Sequence, residues 1–417
     1  MEFSNPYFTV ILLSVLLLHA LEVLSSWLNL RRLSPVLPAG MEDVYEPEKY
    51  AKSQEYTRES ERFDLLAGAI KLAAFLAFWL LGGFRWVDGT VSGWTESPVW
   101  QGVWGVSILY LLSTALDLPF SWYDTFRIEA KYGFNKTTPA TFVMDLVKGL
   151  LLGAALGLPL IALLVWLFGT YPNAWLWAWL AVTVLMLALQ YIAPRWLMPL
   201  FNKFTPLPDG SLKDAIHALS VKCQFPVKGL FVIDGSRRST KANAFFAGFG
   251  KNKRIALYDT LIEKHPEPEL IAVLAHEIGH FKCRHIVQRM VVSVVQLAVV
   301  FLLMGLFLNN TQLHAAFGVA EPRVWLSFVF FLFLFEPVQL LLGIAGNLWS
   351  RKHEYEADAY AARVTGGPQA MMSGLKRLAR DTLANLTPHP LVVFLHYSHP
   401  PMPQRLAALA EGDKVAA

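Results

Sequence analysis

The chain has 417 residues, of which 54% are hydrophobic and only 16% charged, and its formal net charge is +4. Soluble globular domains carry about 25% charged residues, so the composition excludes an ordinary soluble enzyme and predicts a multi-spanning membrane protein. The positive charge does not form a basic stripe with interleaved aromatic residues, so no nucleic-acid partner is expected.

Seven apolar runs are long enough to cross a membrane as helices, which takes about 20 residues. They are 7–28, 64–84, 100–121, 142–168, 174–194, 286–308 and 324–345. The first run is preceded by Glu2 rather than by basic residues, and no A-x-A cleavage site follows it, so we interpret it as a span and not as a signal peptide.

The spans divide the chain into four parts. Spans one to five occupy 1–194, a long polar loop occupies 195–285, spans six and seven occupy 286–345, and a polar tail occupies 346–417. Of the 36 Lys and Arg residues, 31 lie in the tail and the loops on one side, and only Arg85 and Arg323 lie in the loops opposite. Basic loops stay in the cytoplasm, so the long loop and the tail should face it.

Two cysteines, Cys223 and Cys283, are too few for a disulfide framework, and we expect them to be reduced on the cytosolic side. The membrane itself is expected to be a bacterial inner membrane or the endoplasmic reticulum, depending on the organism.

Several ionisable residues fall within the predicted spans. A charge in contact with lipid costs several kcal/mol, so these side chains should face protein or water. They either form internal ion pairs that fix the packing or line a polar interior that holds water. They are Lys71, Asp117, Asp145, Lys148 and Glu336.

The stretch LAHEIGHFKCRH contains an HExxH motif directly before the sixth span. Residues four apart lie one turn apart on the same helix face, so His276 and His280 can bind one ion. Glu277 can then act as a general base on water beside that ion. The motif predicts one zinc ion per chain.

Two neighbouring residues are weaker ligand candidates. His285 misses the third position of the HExxHxxGxxH pattern by one residue. On a continuous helix it would point away, so a helix-end histidine at the membrane surface is expected. Cys283 is close enough to be a ligand, but a half-buried structural cysteine is the simpler interpretation.

A catalytic zinc site needs a third protein ligand, and the segment SRKHEYEADAYA after the seventh span supplies a candidate. Glu354 and Asp358 are one turn apart, so Glu354 can bind the ion while Asp358 accepts the free N–H of a ligand histidine. His353 could compete with Glu354, and Glu356 should point elsewhere into solvent. We expect both ligand helices to continue into spans six and seven.

Three stretches of the long loop alternate in polarity enough to be short strands: GLFVID, NAFFAGF and RIALYD. An edge strand beside the metal could hold a peptide by backbone pairing.

At this point the sequence resembles the type I CAAX prenyl proteases, which are integral membrane zinc metallopeptidases. The resemblance rests on several blocks in order along the chain: EAKYGFNKTT, MPLFNKFTPLPDGSLK, SRRSTKANAFFAG, KRIALYDTLI, LAHEIGHFK, RKHEYEADAYA and HYSHPPMPQRL. It implies seven helices around a large chamber, with a small α+β zinc-peptidase part on the cytoplasmic side.

The resemblance also implies roles for single residues. Zinc is implied on His276, His280 and Glu354. His399 is implied to help bind the tetrahedral intermediate, with Arg405 near the same site, and Asn243 to line the substrate. His396 has no implied role. The implied reaction removes three C-terminal residues after a prenylated cysteine. The expected partners are a peptide or protein substrate and membrane lipid.

Two other functions remain open from the sequence. One is a quality-control zinc protease that cuts damaged membrane proteins without a prenyl group. The other is a transporter that uses the polar interior and holds zinc only as a structural ion. The open coordination position and Glu277 argue against the transporter.

Overall fold

A computed structural model describes residues 4–247 and 253–416. The fold is mostly helical, with one small sheet. In chain order the helices are α1 (Pro6–Arg32), α2 (Pro47–Leu80), α3 (Gly83–Trp94), α4 (Pro98–Tyr123), α5 (Pro139–Thr170), α6 (Ala174–Ile192), α7 (Ser211–Lys222), α8 (Asp259–Lys264), α9 (Glu267–Lys282), α10 (His285–Phe307), α11 (Thr311–Ala316), α12 (Val324–Thr365), α13 (Gln369–Asp381), α14 (Pro390–His396) and α15 (Met402–Ala416).

Seven of the described helices are long and apolar enough to cross a membrane, which confirms the predicted number. They are α1, α2, α4, α5, α6, α10 and α12. Two of these helices extend beyond their apolar runs into polar sequence. α2 begins at Pro47, well before its apolar run, and α12 continues to Thr365, 20 residues beyond position 345. α2 ends where Gly82 adopts a φ of +85°.

Much of the apolar surface of the membrane helices is not buried inside the structure. In each span, only 11–22% of the most apolar 18-residue window is buried inside the structure. The remaining apolar surface is therefore left to lipid or to an enclosed space.

Ionisable residues of the spans are partly paired. Lys71 of α2 lies 2.6 Å from Asp117 of α4, and both side chains are more than 40% exposed. Asp145 of α5 accepts two hydrogen bonds from Arg238 of the polar loop, at 2.7 and 2.9 Å. Lys148 donates to the carbonyl of Leu200 at 2.8 Å. Internal pairing therefore accounts for Lys71, Asp117, Asp145 and Lys148, four of the residues singled out in the sequence.

The sheet lies in the polar part of the chain. Its strands are β1 (Phe204–Pro206), β2 (Val227–Ile233), β3 (Ala244–Ala247) and β4 (Lys253–Tyr258), in the order β1-β2-β4-β3. β2 and β4 are parallel, and the other pairs are antiparallel. The three strands expected from alternation are present, although positions 248 and 249 of the NAFFAGF stretch lie outside the described residues. Among the described strands, β3 lies at one edge of the sheet.

The polar part has one hydrophobic core, and α9 runs through it. Leu270, Leu274 and Ile278 of α9 are at most 2% exposed and pack with Ile255 and Leu257 of β4. Residues of α7, α12, α13 and α15 complete this core. The apolar face of the HExxH helix is therefore packed into this core.

Candidate active site

The beginning of α9 is fixed by a buried carboxylate. Glu269 is 3% exposed and accepts hydrogen bonds from Arg377 Nε at 2.8 Å and Ser373 Oγ at 2.6 Å. His265 Nδ1 lies 2.8 Å from it. Burial alone would raise the pKa of Glu269, but these hydrogen bonds outweigh burial and hold its pKa below the usual value. The α9 axis is thus tied to α13.

The other end of α9 differs from the expectation of a helix continuing into the sixth span. α9 ends at Lys282, and Arg284 adopts a left-handed conformation with φ +60° before α10 begins at His285. The expected continuity was wrong here and correct only for α12, which runs without a break from the seventh span to the site.

α9 and α12 approach closely at Gly279, the glycine inside the HEIGH sequence. A Cβ at this position would lie 3.1 Å from both the Cα and the carbonyl oxygen of Ala357, and 3.2 Å from Cβ of Tyr360. A side chain here would be closer than ordinary van der Waals contact, so glycine lets the two ligand-bearing helices approach without displacing the backbone of Ala357.

Three expected ligands converge at this contact. The Nε2 atoms of His276 and His280 lie 3.2 Å apart, and they lie 3.4 and 3.3 Å from the carboxylate oxygens of Glu354. One donor atom from each residue falls within 4.8 Å of the others. Oε2 of Glu354 is buried and makes no hydrogen bond within the described chain.

This donor set fits a catalytic metal ion. Two imidazoles and one carboxylate are a known zinc ligand set that leaves a fourth position open. The facing ring nitrogens and the unbonded carboxylate oxygen need a cation to compensate them, since buried polar atoms are otherwise hydrogen-bonded. His353, the competing candidate, is not in this group and instead stacks on His285 with ring centroids 3.8 Å apart.

Asp358 and Arg405 lie behind His276. Oδ1 of Asp358 is 2.8 Å from Nδ1 of His276. Arg405 donates two hydrogen bonds to the same carboxylate, from Nε at 2.7 Å and from a terminal nitrogen at 2.6 Å. This arrangement fixes the ring orientation and leaves Nε2 of His276 facing Glu354 and His280, where a metal ion would be held. Arg405 is 9% exposed, and another terminal nitrogen of its guanidinium lies 3.6 Å from Oε2 of Glu354, so it contacts both carboxylates.

His280 has an analogous partner that the sequence did not indicate. Nδ1 of His280 lies 3.0 Å from Nδ1 of His285, and Nε2 of His285 lies 2.9 Å from Oε2 of Glu356. The expectation that His285 lies at the membrane surface was wrong, because the turn at Arg284 brings it back and leaves it 1% exposed. Glu356 is not simply solvated, although 42% of its side chain is exposed. Cys283 belongs to this second group and not to the first.

Glu277 lies beside the donor group and lines the same cavity as His280, Glu354 and His399. Burial raises the pKa of its carboxyl group, while the neighbouring imidazoles of His276 and His280 oppose this shift. A carboxylate with a raised pKa is a better proton acceptor, as a general base requires.

His399 lies at the entrance of this cavity, in the loop between α14 and α15. Its Nε2 is 3.5 Å from Oε1 of Glu354, and Nδ1 is 3.0 Å from Oγ of Ser398. The side chain is 64% exposed, so it can reach a molecule in the cavity.

Asn243 lies outside the cavity lining. It is exposed at the beginning of β3, and its side chain accepts a hydrogen bond from the amide of Ala244 at 2.8 Å. The next residue but one, Phe245, lines the cavity, so β3 lies beside the donor group. The cavity has a volume of about 320 Å³, and its apolar walls come from Phe225, Phe245, Phe281 and Ile286.

Comparisons with known proteins agree with this geometry. The family described as CAAX prenyl protease N-terminal, five membrane helices, matches residues 26–203, and peptidase family M48 matches residues 206–412. The CAAX prenyl protease 1 homolog of Oryza sativa is 36% identical, with 98% of each chain covered. CAAX prenyl protease 1 of Saccharomyces cerevisiae is 35% identical over 89% of this chain and 88% of its own.

A solved structure is similar to this chain over almost its whole length. The crystal structure of S. mikatae Ste24p superimposes with a TM-score of 0.92 at 32% identity, and the match covers 97% of this chain and 99% of that one. The resemblance found in the sequence is therefore confirmed. The quality-control and transporter alternatives are not favoured. The chain belongs to the CAAX prenyl protease 1 family of integral membrane metallopeptidases.

Proposed function

We propose that this chain is a zinc metalloendopeptidase that removes the last three residues of a protein after a C-terminal prenylated cysteine. The observation that supports it most is the buried group of His276, His280 and Glu354, with Glu277 next to it in an open cavity. The ligand types favour zinc, since imidazole and carboxylate with an open position are typical of catalytic zinc sites.

A zinc ion held there would lower the pKa of water and polarise the substrate carbonyl. The protein's own side chains would hold the ion and transfer the proton. His276 and His280 present Nε2, and Asp358 keeps the proton of His276 on Nδ1. Glu277 accepts a proton from the attacking water on its carboxylate and returns it to the leaving nitrogen.

His399 supplies a hydrogen-bond donor where negative charge develops on the carbonyl oxygen. A donor of this kind is worth about 10²–10³ in rate in other hydrolases. Its position 3.5 Å from the Glu354 carboxylate places it on the same side of the cavity as the proposed ion. Arg405 contributes by holding Asp358.

The substrate would bind as an added strand. β3 is an edge strand of the described sheet and contributes Phe245 to the cavity wall, so a peptide paired with it would lie extended across the donor group. Asn243 would stay at the beginning of that strand, where it contacts the peptide's end. The apolar walls of the cavity and the apolar surface of the membrane helices, around the implied chamber, would accommodate the lipid. The distribution of Lys and Arg supports a site on the cytoplasmic side.

The proposal is tested with two peptides that differ only in a prenyl group on the cysteine. We expect the purified protein to release the C-terminal tripeptide from the prenylated peptide, with the cleavage site identified by mass spectrometry. Glu277→Gln should abolish release and keep the zinc. Equal cleavage of both peptides would show that the prenyl group is not required. Undiminished cleavage by Glu277→Gln would show that Glu277 is not the general base.

A further inference from the structure

Cys283, His285 and Glu356 form a second group of metal-ligating side chains beside the candidate active site. One donor atom from each falls within 4.8 Å of the other two. A thiolate, an imidazole and a carboxylate are all zinc ligands. We propose that this group binds a second zinc ion and that its occupation inhibits the peptidase. The inhibitory part rests on the proposed function, whereas the binding part does not.

The turn between α9 and α10 builds this group. Cys283 caps the end of α9, His285 is the first residue of α10, and Arg284 between them has the left-handed φ of +60°. On a continuous helix, residues two apart would point in very different directions. The turn instead directs both side chains toward Glu356 of α12.

The imidazole of this group is held in place before any ion arrives. His285 is 1% exposed, and its ring stacks in parallel on the ring of His353, with 9° between the planes. Its Nε2 already lies 2.9 Å from Oε2 of Glu356. An ion would replace that hydrogen bond with two coordination bonds, and little side-chain freedom remains to be lost.

The carboxylate and the thiol are accessible. Glu356 has 42% of its side chain exposed, and Cys283 is half-buried, so an ion can enter from solvent. The remaining partner of Glu356 is Lys352, at 3.8 Å and 73% exposed. Exposed ion pairs of this kind contribute little, so Lys352 does not hold the carboxylate away. The sulfur ligand favours zinc over magnesium or calcium.

The two groups are coupled through the contact between His280 and His285. When Nε2 of His280 faces the catalytic ion, its proton is on Nδ1 and is donated to Nδ1 of His285, 3.0 Å away. His285 then carries its own proton on Nε2 and donates it to Glu356.

A second ion breaks this chain of hydrogen bonds. An ion on Nε2 of His285 requires that nitrogen to be unprotonated, so the ring proton moves to Nδ1. Two N–H groups then face each other across 3.0 Å, and His280 loses its acceptor. Loss of the acceptor behind a ligand histidine lowers metal affinity or activity by about 10–100-fold in other enzymes.

The binding part is tested on the full chain carrying Glu277→Gln, where turnover plays no role. We expect two zinc ions per chain in excess zinc. When Cys283→Ala is introduced into the same chain, we expect one zinc ion. Cobalt(II) in place of zinc should give a thiolate-to-cobalt absorption that Cys283→Ala abolishes. Cys223→Ala changes the other cysteine and is the matched control. It should keep both zinc ions and the thiolate-to-cobalt absorption. One zinc per chain and no such absorption in the Cys283-containing protein would overturn the site.

The inhibitory part is tested by following tripeptide release while free zinc is raised with a metal buffer. We expect the wild type to lose activity by about 10–100-fold and Cys283→Ala to remain active. Inhibition that persists in Cys283→Ala would place the inhibitory ion elsewhere and overturn the coupling. A wild type that binds two zinc ions but cleaves neither peptide would refute the proposed function and leave the second site standing. If Cys283→Ala does not fold, Cys283→Ser provides the same comparison.

Discussion

Gly279 offers a sharp test of how the two ligand helices are brought together. Replacing it by alanine places a Cβ 3.1 Å from the backbone of Ala357, where 3.4 Å or more is ordinary contact. Backbone atoms cannot rotate away, so α9 and α12 must separate by about 0.3 Å or more. Metal–ligand distances tolerate about 0.2 Å. The displacement is therefore large enough to disturb the donor group.

Overpacking of this kind typically costs about 1–3 kcal/mol, and each 1.4 kcal/mol is tenfold in an equilibrium constant. We expect Gly279→Ala to bind zinc roughly 10–100-fold more weakly, measured by competition with a chelator. Helix propensity alone would make the variant more stable, because alanine in a helix is more favourable than glycine by about 1 kcal/mol.

Gly374→Ala is the matched control. Gly374 also faces α9, but its added Cβ would meet the nearest side-chain atom, Cβ of Glu269, at 3.7 Å. This variant gains the same helix propensity without a close contact, so its zinc affinity should equal that of the wild type. If Gly279→Ala also kept wild-type zinc affinity, the close contact would not be what positions the ligands.

Three further variants test other parts of the account. Glu354→Ala should lose the catalytic zinc, and full occupancy by metal analysis would show that another residue is the third ligand. His399→Ala should keep zinc and slow turnover by about 10²–10³; an unchanged turnover rate would return His399 to a structural role. Glu269→Gln should lower stability by about 1.5–3 kcal/mol at pH 7 in thermal unfolding, while the exposed Glu263→Gln should not. Because the pKa of Glu269 is lowered by folding, its contribution is complete above about pH 4.3 and is lost as the pH falls through the folded-state pKa. A stability difference that did not shrink in acid would refute the role of that charge.

Local patterns in the sequence predicted much of the fold. An apolar run of about 20 residues has few alternatives to a membrane helix, so the seven spans followed from length and hydropathy. The spacing of His276 and His280, and of Glu354 and Asp358, is fixed by the pitch of one helix and needed no tertiary information.

What could not be predicted depends on contacts between elements. His285 was misplaced because a left-handed Arg284 is uncommon for a residue with a side chain, and nothing in the local pattern indicates it. The roles of Gly279 and Asn243 depend on which neighbour packs against them. β1 contains only three residues and ends in Pro206, so it has almost no periodic signal.

The most direct test of the central claim is anomalous diffraction at the zinc edge from crystals of the purified protein. The account predicts a peak about 2.0–2.2 Å from Nε2 of His276, Nε2 of His280 and a carboxylate oxygen of Glu354. A chain that cleaves the peptide but shows no peak between these three side chains would contradict it.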